Sequence, residues 1–319
     1  MLRGGRRTGC ALLVLALRQC SSTAASAVAA QESCAAASGP LAYTLTHKER
    51  LSRDSFRLRY GLPEGRTRLG EGATVPTCIK VLFPNGTDEK SGKPKPLEKS
   101  YSPTSHPAAH GHVELIVKSY PPRAGGGVGS YLCDMAVGEK MLATVKSERI
   151  MHGDAAVLGR WRSIGLVAGG TGIAPLLQIA RIVLESPEAA DASAHVHLLS
   201  INRDEDGILA RAEIERLRSE HADRFHVAYS LTGHPVPDGW EGHAGRGDVA
   251  MARVALPPPT GDGTTMVLVC GTDGFVGTWA GPVGRAPNKP DGSKGAKIQG
   301  PLLGVLAEAG YSSAEVFKY

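Results

Sequence analysis

The sequence SIGLVAGGTGIAP, at residues 163–175, contains three structural signals in succession. Its first six residues form a short apolar run, which predicts a buried strand. Three glycines and a threonine follow, and apolar residues then recur at helical spacing, with Pro175 in the first turn, where proline is tolerated. Glycines let the backbone approach a phosphate closely, and a helix N-terminus offers unpaired N–H groups. The stretch therefore predicts a strand, a phosphate-binding turn and a helix, and the alternative is a tight turn without a ligand.

The residues that follow alternate between strand and helix. Strands are predicted over 195–201, 224–230 and 267–270, with a helix over 210–221. This alternation predicts a doubly wound α/β domain with a parallel sheet. A second glycine turn, CGTDG at residues 270–274, follows the last of these strands. Parallel sheets bind ligands beyond the carboxyl ends of their strands, so we expect both turns to face one cleft. The alternative role for Cys270 is that of a buried structural residue.

The chain before residue 155 has a different pattern. Short alternating or apolar runs at 55–60, 77–83 and 113–117 predict strands, and Gly, Pro and Lys mark an exposed loop at 84–96. These strands predict a small barrel or sandwich. We therefore divide the chain into residues 1–36, a β-domain at 37–155 and an α/β domain at 156–319.

Three segments of the β-domain contain residue types that suit a phosphate-bearing, aromatic ligand. They are KSYSPTS at 99–105, VKSY at 117–120 and the glycine run GGGVGS at 125–130. A cation beside a tyrosine can hold a phosphate while the ring stacks on a flat group. Each segment is unspecific when taken alone.

In this order, the segments resemble the ferredoxin-NADP reductase superfamily, and most closely its NADH-cytochrome b5 reductase branch. The resemblance extends from about residue 43 to the end of the chain. It implies an FAD-binding β-barrel followed by a nicotinamide-binding α/β domain. The family's flavin motif, Arg-x-Tyr-Thr/Ser-x-x-Ser, matches residues 99–105, except that Lys99 replaces the arginine that clamps the FAD pyrophosphate. Lysine keeps the charge but lacks the two-pronged geometry of a guanidinium.

The resemblance also implies individual roles. Ser102 beside the flavin and Cys270 beside the nicotinamide are the implied catalytic residues. The implied FAD-binding residues are Lys99, Tyr101, Ser102, Val117, Lys118, Tyr120, Val128, Gly129 and Ser130. The implied nicotinamide-dinucleotide residues are Gly169, Gly170, Thr171, Gly172, Pro175 and Gly271, and Lys118 would also steer this nucleotide. Phe317 and Tyr319 match a C-terminal segment that usually ends in an aromatic residue. No metal site is expected.

The cofactors implied are FAD and NADH, and NADPH stays open. NADH-preferring relatives often carry an acidic residue after Tyr-x-Leu, whereas Tyr229-Ser-Leu231 precedes Thr232 here. Losing that carboxylate removes a repulsion against the 2′-phosphate of NADPH, and Arg203 could attract it. The implied electron acceptor is a haem protein such as cytochrome b5. The alternatives are a reductase for a quinone or ferric chelate and a non-catalytic, reductase-like subunit of a mitochondrial complex.

Residues 275–301 depart from the family, which has a much shorter link there. We interpret them either as a solvated loop or as a docking arm for a partner. His106, His110 and His112 lie close together in sequence, but no cysteine or acidic ligand joins them, so a zinc site is not favoured.

Composition excludes several classes of protein. The 319 residues include 40 Gly without a triplet period, which excludes collagen, and six Cys, too few for a disulfide framework. No apolar run is long enough for a multi-span membrane protein. The net charge is +5, but four arginines and no acidic residue lie within residues 1–31, so about +1 belongs to the remainder. This balance argues against nucleic-acid binding.

The N-terminal composition is typical of a mitochondrial transit peptide, since it is rich in Arg, Ser and Ala. The apolar run at 10–17 leaves two alternatives, a secretory signal or a short anchor to the endoplasmic reticulum or another membrane. A disordered tail is the third.

Overall fold

The computed structural model describes residues 39–69, 77–88, 91–121, 127–146, 159–186, 193–288, 290 and 295–319. The chain divides into two compact units, Met1–Pro40 and Leu41–Tyr319, and all the named strands and helices belong to the second. The predicted targeting segment and the predicted domain boundary near residue 155 lie outside the described residues. Both therefore stay predictions.

The first half of the second unit is a six-stranded antiparallel sheet. Its strands are β1 (Leu41–Arg50), β2 (Ser55–Gly61), β3 (Cys78–Phe83), β4 (Leu97–Tyr101), β5 (His112–Lys118) and β6 (Lys140–Lys146). They pair in the order β4-β3-β6-β1-β2-β5. Leu58 and Tyr60 on β2 are buried while Arg59 between them is exposed, the alternation expected of a half-buried strand. Helix α1 (Val128–Asp134) closes the core through Val128 and Leu132. The barrel architecture predicted for this half is confirmed.

The second half is built on a six-stranded parallel sheet. Its strands are β7 (Ser163–Gly169), β8 (His195–Asn202), β9 (Phe225–Leu231), β10 (His243–Ala244), β11 (Thr265–Cys270) and β14 (Val316–Lys318). Its helices are α2 (Ile173–Glu185), α3 (Arg211–Glu220), α4 (Val249–Ala255), α5 (Asp273–Ala280) and α6 (Gly304–Glu308). One buried cluster lies under α2 and α3 and a second under α4, α5 and α6, so helices cover both faces and the doubly wound fold is confirmed.

The strand order fixes where a ligand can bind. The order is β10-β9-β8-β7-β11-β14, so the chain runs outward from β7 to β10 and then returns to the other side of β7 with β11. Ligands of such sheets bind where the strand order reverses, beyond the carboxyl ends of the strands. That point lies between β7 and β11, where both predicted glycine turns begin.

The interpretation of residues 275–301 as one loop is wrong for its first part. Phe275 to Ala280 belong to α5, whose N-terminus is capped by the Thr272 hydroxyl, which accepts a hydrogen bond from the Phe275 N–H at 3.3 Å. Trp279 in this helix is fully buried. The whole segment is rich in glycine and proline, so the sequence pattern did not predict this helix. The rest of the segment, residues 281–301, is the arm, in which β12 (Gly284–Arg285) pairs antiparallel with β13 (Lys297–Ile298).

Within the described ranges, no helix combines the length and the apolar character needed to cross a bilayer. Over the same ranges, no three His, Cys, Asp or Glu side chains come together as a metal site would require. His106 instead hydrogen-bonds Ser186 at 2.8 Å, and His110 contacts the guanidinium of Arg68 at 3.1 Å.

One histidine of the parallel sheet makes the stability of the fold depend on pH. The centroid of the His197 ring on β8 lies 4.7 Å from that of the His226 ring on β9. Burial, and then the nearby His226 and His195, lower the pKa of His197 to about 4. Between pH 6.5 and 4 the unfolded chain binds a proton that the folded chain does not, so stability falls as the pH drops through this window.

The free energy of unfolding should fall when the pH drops from 6.5 to 4. We expect His197→Phe, whose side chain cannot bind a proton, to make this fall smaller by about 2 kcal/mol. The measurement is urea unfolding at several pH values from 7 to 4. His47→Phe, at an exposed position of β1, is the matched control. An unchanged pH profile in His197→Phe contradicts the assignment.

Candidate functional site

The two glycine turns touch each other at the strand reversal. The first follows β7 as a short 3₁₀ turn, Gly170–Gly172, and the second begins at Cys270, where β11 ends. A Cβ placed on Gly172 would lie 2.1 Å from the carbonyl oxygen of Cys270 and 2.8 Å from the nitrogen of Gly271. Only glycine allows the two backbones to come this close. Gly170 has a φ of 52°, in the left-handed region that also favours glycine.

Phe275 packs against both turns. A Cβ on Gly169 would lie 2.8 Å from its ring, and one on Gly271 would lie 2.5 Å from it. The glycine-rich pattern around Phe275 predicted a loop and gave no sign of this contact. The Phe275 ring lines the cleft together with Thr171 and Thr272, so the floor combines an aromatic surface with hydroxyl groups and backbone N–H groups.

The opposite wall of the cleft comes from the β-domain. The cavity measures about 450 Å³, and its β-domain lining includes Asp54, Lys118 and Tyr120. The Lys118 Nζ lies 2.9 Å from an Asp54 carboxylate oxygen. Burial acts to raise the pKa of Asp54, but hydrogen bonds from Lys118, Ser55 and Ser52 outweigh it and hold this pKa below its usual value. Asp54 was also missed, since it occupies an ordinary turn between β1 and β2.

Residues of the three β-domain segments that were predicted to bind a phosphate-bearing, aromatic ligand come together around Gly129. A Cβ on Gly129 would lie 2.7 Å from the carbonyl oxygen of Lys118 and 3.7 Å from the Tyr101 hydroxyl. The Lys99 Nζ lies 5.5 Å from the centre of the Tyr101 ring and 5.6 Å from that of Tyr120. The Ser130 hydroxyl donates to the carbonyl of Tyr120 at 2.9 Å. One ammonium group and two aromatic rings therefore flank a glycine backbone.

A bound group fits this arrangement. The Tyr101 hydroxyl is buried and has no hydrogen-bond partner among the described residues, and burial raises the pKa of Tyr101. A buried donor without a partner is costly, and a ligand acceptor would satisfy it. Gly129 has no side chain, so its backbone lies close to that hydroxyl and to the Lys118 carbonyl, and Lys99 supplies a charge suited to a phosphate. The residues present therefore suit a flat aromatic group that carries phosphate, as FAD does.

Other predicted residues lie near the site without lining the cleft. Val117 and Val128 are buried in the β-domain core, so their side chains face the protein interior. Pro175 is buried in the first turn of α2. Cys270 is half-buried and packs against the cluster under α2. The roles of Ser102 and Cys270 stay predictions.

The C-terminal strand borders the same place. The Tyr319 N–H donates to the carbonyl of Val269, one residue before Cys270, at 2.9 Å. The Phe317 and Tyr319 rings meet edge to face, with centroids 6.0 Å apart, and both pack near Cys270 on the same cluster. Two aromatic side chains thus lie on the strand beside the carboxyl end of β11.

Comparison with known proteins agrees with this geometry. Residues 42–145 match the model of the oxidoreductase FAD-binding domain, and residues 166–280 match that of the oxidoreductase NAD-binding domain. NADH-cytochrome b5 reductase 2 of Neurospora crassa is 30% identical over 281 residues, which are 88% of this chain and 73% of that protein. NADH-cytochrome b5 reductase 3 of Rattus norvegicus is 32% identical over 245 residues, 71% of this chain and 76% of that protein.

Solved structures share the fold at lower identity. The cytochrome b5 reductase domain of Ulva prolifera nitrate reductase has a TM-score of 0.64 at 21% identity, covering 88% of this chain and 97% of that one. The CS-b5R domains of human Ncb5or give 0.62 at 17%, covering 89% of this chain and 70% of that one.

Proposed function

The chain belongs to the NADH-cytochrome b5 reductase family, and from that premise we propose that it is an FAD-dependent oxidoreductase. It takes a hydride from NADH and delivers electrons one at a time to a haem protein of the cytochrome b5 type. One observation carries the proposal: the predicted phosphate-binding glycine turn and two of the residues implied to bind FAD, Lys118 and Tyr120, line a single cleft. A dinucleotide bound at the turn therefore faces the group that the β-domain binds.

Each wall of the cleft has a separate task. When bound, FAD supplies the hydride-accepting and electron-carrying chemistry, and the protein supplies orientation and electrostatics. Lys99 and Tyr101 hold the flavin nucleotide on the β-domain. Gly170 and Thr171 offer the N-terminal end of α2 to a pyrophosphate. Asp54 keeps the Lys118 ammonium at the cleft wall, where it attracts the phosphates of the incoming nucleotide.

Hydride transfer between two cofactors requires no general acid or base. The remaining contribution of the protein to catalysis is therefore the positioning of the two cofactors. Phe275 provides a rigid surface under the two glycine turns and keeps them in register. Binding two cofactors in a fixed orientation is itself a large source of rate enhancement.

The test begins with the full-length protein purified with added FAD. We expect flavin absorbance, bleaching of that absorbance by NADH without oxygen, and NADH-dependent reduction of cytochrome b5. Bleaching without cytochrome b5 reduction, but with quinone or ferric chelate reduction, contradicts the proposed acceptor. Folded protein that binds no FAD and has no NADH-dependent diaphorase activity contradicts the enzyme assignment and favours the non-catalytic subunit.

The arm at residues 281–301 is the proposed docking element for the acceptor. It contains four basic residues and one acidic residue, and the Ile298 side chain on it is 49% exposed. Its base is fixed to β14, where the Lys318 Nζ donates to the carbonyl of Pro301 at 2.6 Å and to that of Pro282 at 3.2 Å. A fixed, basic arm suits an acidic protein surface.

Replacing both Arg285 and Lys297 of the arm by Glu is expected to lower kcat/KM for cytochrome b5 while ferricyanide reduction continues. Equal loss with both acceptors argues against docking by the arm.

The proposed location is the mitochondrion, on the basis of the arginine-rich, acid-free composition of residues 1–31. A reporter fused to residues 1–40 is expected to enter mitochondria. A reporter that stays cytosolic defeats this proposal, and one found on the endoplasmic reticulum supports the anchor instead.

A further inference from the structure

A second cavity lies between the β-domain and the α/β domain, away from the nucleotide cleft. It measures about 390 Å³, a size typical of small-molecule sites. One wall comes from β2, β5 and the loop between β4 and β5, and the other comes from α2 and α3. None of its described lining residues lines the nucleotide cleft. The cavity is therefore a separate place at which one ligand could contact both domains.

Two polar groups in the walls of this cavity are buried without a hydrogen-bond partner among the described residues. One is the hydroxyl of Thr104 on the β-domain wall, and Thr104 is only 3% exposed. The other is the Nε–H of Arg181, which belongs to α2 on the opposite wall. A buried polar group without a partner is costly, and native proteins satisfy nearly all such groups. Two of them in one cavity therefore indicate a bound acceptor.

Other contacts of the same two residues hold these groups in position. The Thr104 N–H donates to the carbonyl of Glu114 at 2.9 Å, which fixes the loop to β5. The terminal nitrogens of Arg181 pair with Glu213 on α3 and, at 3.8 Å, with Glu185. These contacts use the backbone of Thr104 and one end of the guanidinium. They leave the hydroxyl and the Nε–H as donors for a ligand oxygen.

The charges around the cavity nearly balance. The charged residues that line it are Arg57, Arg59, Arg181, Arg216, Glu114 and Glu213. The glutamates that pair with these arginines from outside the lining are Glu49, Glu185 and Glu220. Two lining histidines, His106 and His112, hydrogen-bond within the protein, to Ser186 and to the His110 carbonyl. Among the described residues, four arginines thus face five glutamates, which leaves no excess positive charge for a dianion. A singly charged carboxylate needs only the two local donors, one of which belongs to a cation.

The rest of the lining is apolar. Ile116 of β5 and Leu177 of α2 line the cavity, and both belong to the buried cluster under α2 and α3. Ala109 and Ala210 add small apolar side chains to the lining. A hydrocarbon group that packs against these side chains leaves water, which favours binding. The cavity therefore suits a ligand that has an apolar body as well as a carboxylate.

We infer that this cavity binds a small organic acid, whose carboxylate accepts hydrogen bonds from the Thr104 hydroxyl and the Arg181 Nε–H. The side chains of Arg59 and Arg216, which also line the cavity, are 49% and 40% exposed, so the cavity opens to solvent and the acid can enter. Because the two donors belong to different domains, the bound acid joins the β-domain to α2. The acid is a ligand and takes part in no redox step.

The test measures binding of simple acids to the full-length protein purified with added FAD. Calorimetry compares benzoate with benzamide, which has the same ring but no charge, and butyrate repeats the measurement with a smaller acid. We expect benzoate to bind at one site per chain, at least about tenfold more tightly than benzamide, the effect of one charge-assisted hydrogen bond. Inorganic phosphate should bind more weakly than benzoate.

Variants of the two donors locate the bound acid. Thr104→Val removes the hydroxyl and keeps the shape of the side chain. Since this hydroxyl has no partner in the described structure, the free energy of unfolding should hold or rise, while the dissociation constant for benzoate rises about tenfold. Arg181→Met should weaken benzoate binding at least as much, and Glu213 keeps its contact with Arg216 at 2.7 Å. Thr144→Val, at a half-buried position of β6 outside the cavity, is the matched control and should bind benzoate like the unmodified chain.

Failure of both acids to bind the unmodified protein overturns the inference, as does benzoate binding that neither Thr104→Val nor Arg181→Met weakens. Tighter binding of phosphate than of benzoate overturns the assignment to an organic acid. A lower stability of Thr104→Val would show that the hydroxyl serves the fold, and this result also contradicts its role as a donor to the ligand. Circular dichroism checks the folding of Arg181→Met, and if that variant is unfolded, the result with Thr104→Val decides.

Discussion

Gly172→Ala is expected to lower the free energy of unfolding by about 3 kcal/mol, the upper part of the usual cost of overpacking. It should also raise the KM for NADH more than about tenfold, since a displacement of about 1 Å at a positioning element can have such an effect. The added Cβ would meet the carbonyl oxygen of Cys270 at 2.1 Å and its carbon at 2.4 Å. Both are backbone atoms, so no side chain can rotate away, and the two turns must separate. Chemical denaturation and steady-state kinetics with NADH measure the two effects.

The matched control is Gly277→Ala in α5. A Cβ there meets nothing within 4 Å, and alanine favours a helix over glycine by about 1 kcal/mol, so stability should hold or rise. FAD content separates a local effect from general unfolding, because the flavin-type motif lies in the β-domain. Gly172→Ala with normal stability and a normal KM would show that the contact between the turns is not required.

Much of the α/β domain follows from local signals in the sequence. The run at 163–168 and the glycines after it predict β7 and its turn because a buried strand, a close backbone approach and a helix start each restrict the residue types allowed. The same reasoning predicted that the turn at Cys270 would face the same cleft, since all strands of a parallel sheet end at one edge. These predictions needed no knowledge of long-range packing.

The features that sequence reasoning missed depend on contacts between distant residues. Phe275 reaches Gly169 across about a hundred residues, and nothing local marks a phenylalanine among glycines as part of a cleft floor. Asp54 stands in an ordinary turn, and its role depends on Lys118 lying opposite at the end of β5. The resemblance supplied Lys118 but no partner for it. Helix α5 was hidden because glycine and proline dominate the segment, whereas burial of Trp279 stabilises it.

Lys99→Ala is expected to raise the dissociation constant of FAD by about 100-fold, the value of one charge-assisted hydrogen bond to a phosphate. The Lys99 ammonium lies over Tyr101 and Tyr120, beside the glycine backbone at Gly129 where the phosphates would lie. Lys99→Arg should bind FAD more tightly than the unmodified chain, because a guanidinium makes two parallel contacts with phosphate where an ammonium makes one. Titration of the apoprotein with FAD, followed by quenching of flavin fluorescence, measures both constants.

Lys140→Ala removes an exposed lysine of β6 in the same domain and is expected to leave FAD binding unchanged, which separates a local contact from a general loss of positive charge. Because Lys99 is exposed, its truncation should not unfold the β-domain, and circular dichroism checks this. The order of affinities, arginine above lysine above alanine, is the decisive result, since packing alone would not favour the bulkier arginine. Equal affinities for all three residues would show that the FAD pyrophosphate lies away from Lys99 and that a different cation of the site contacts it.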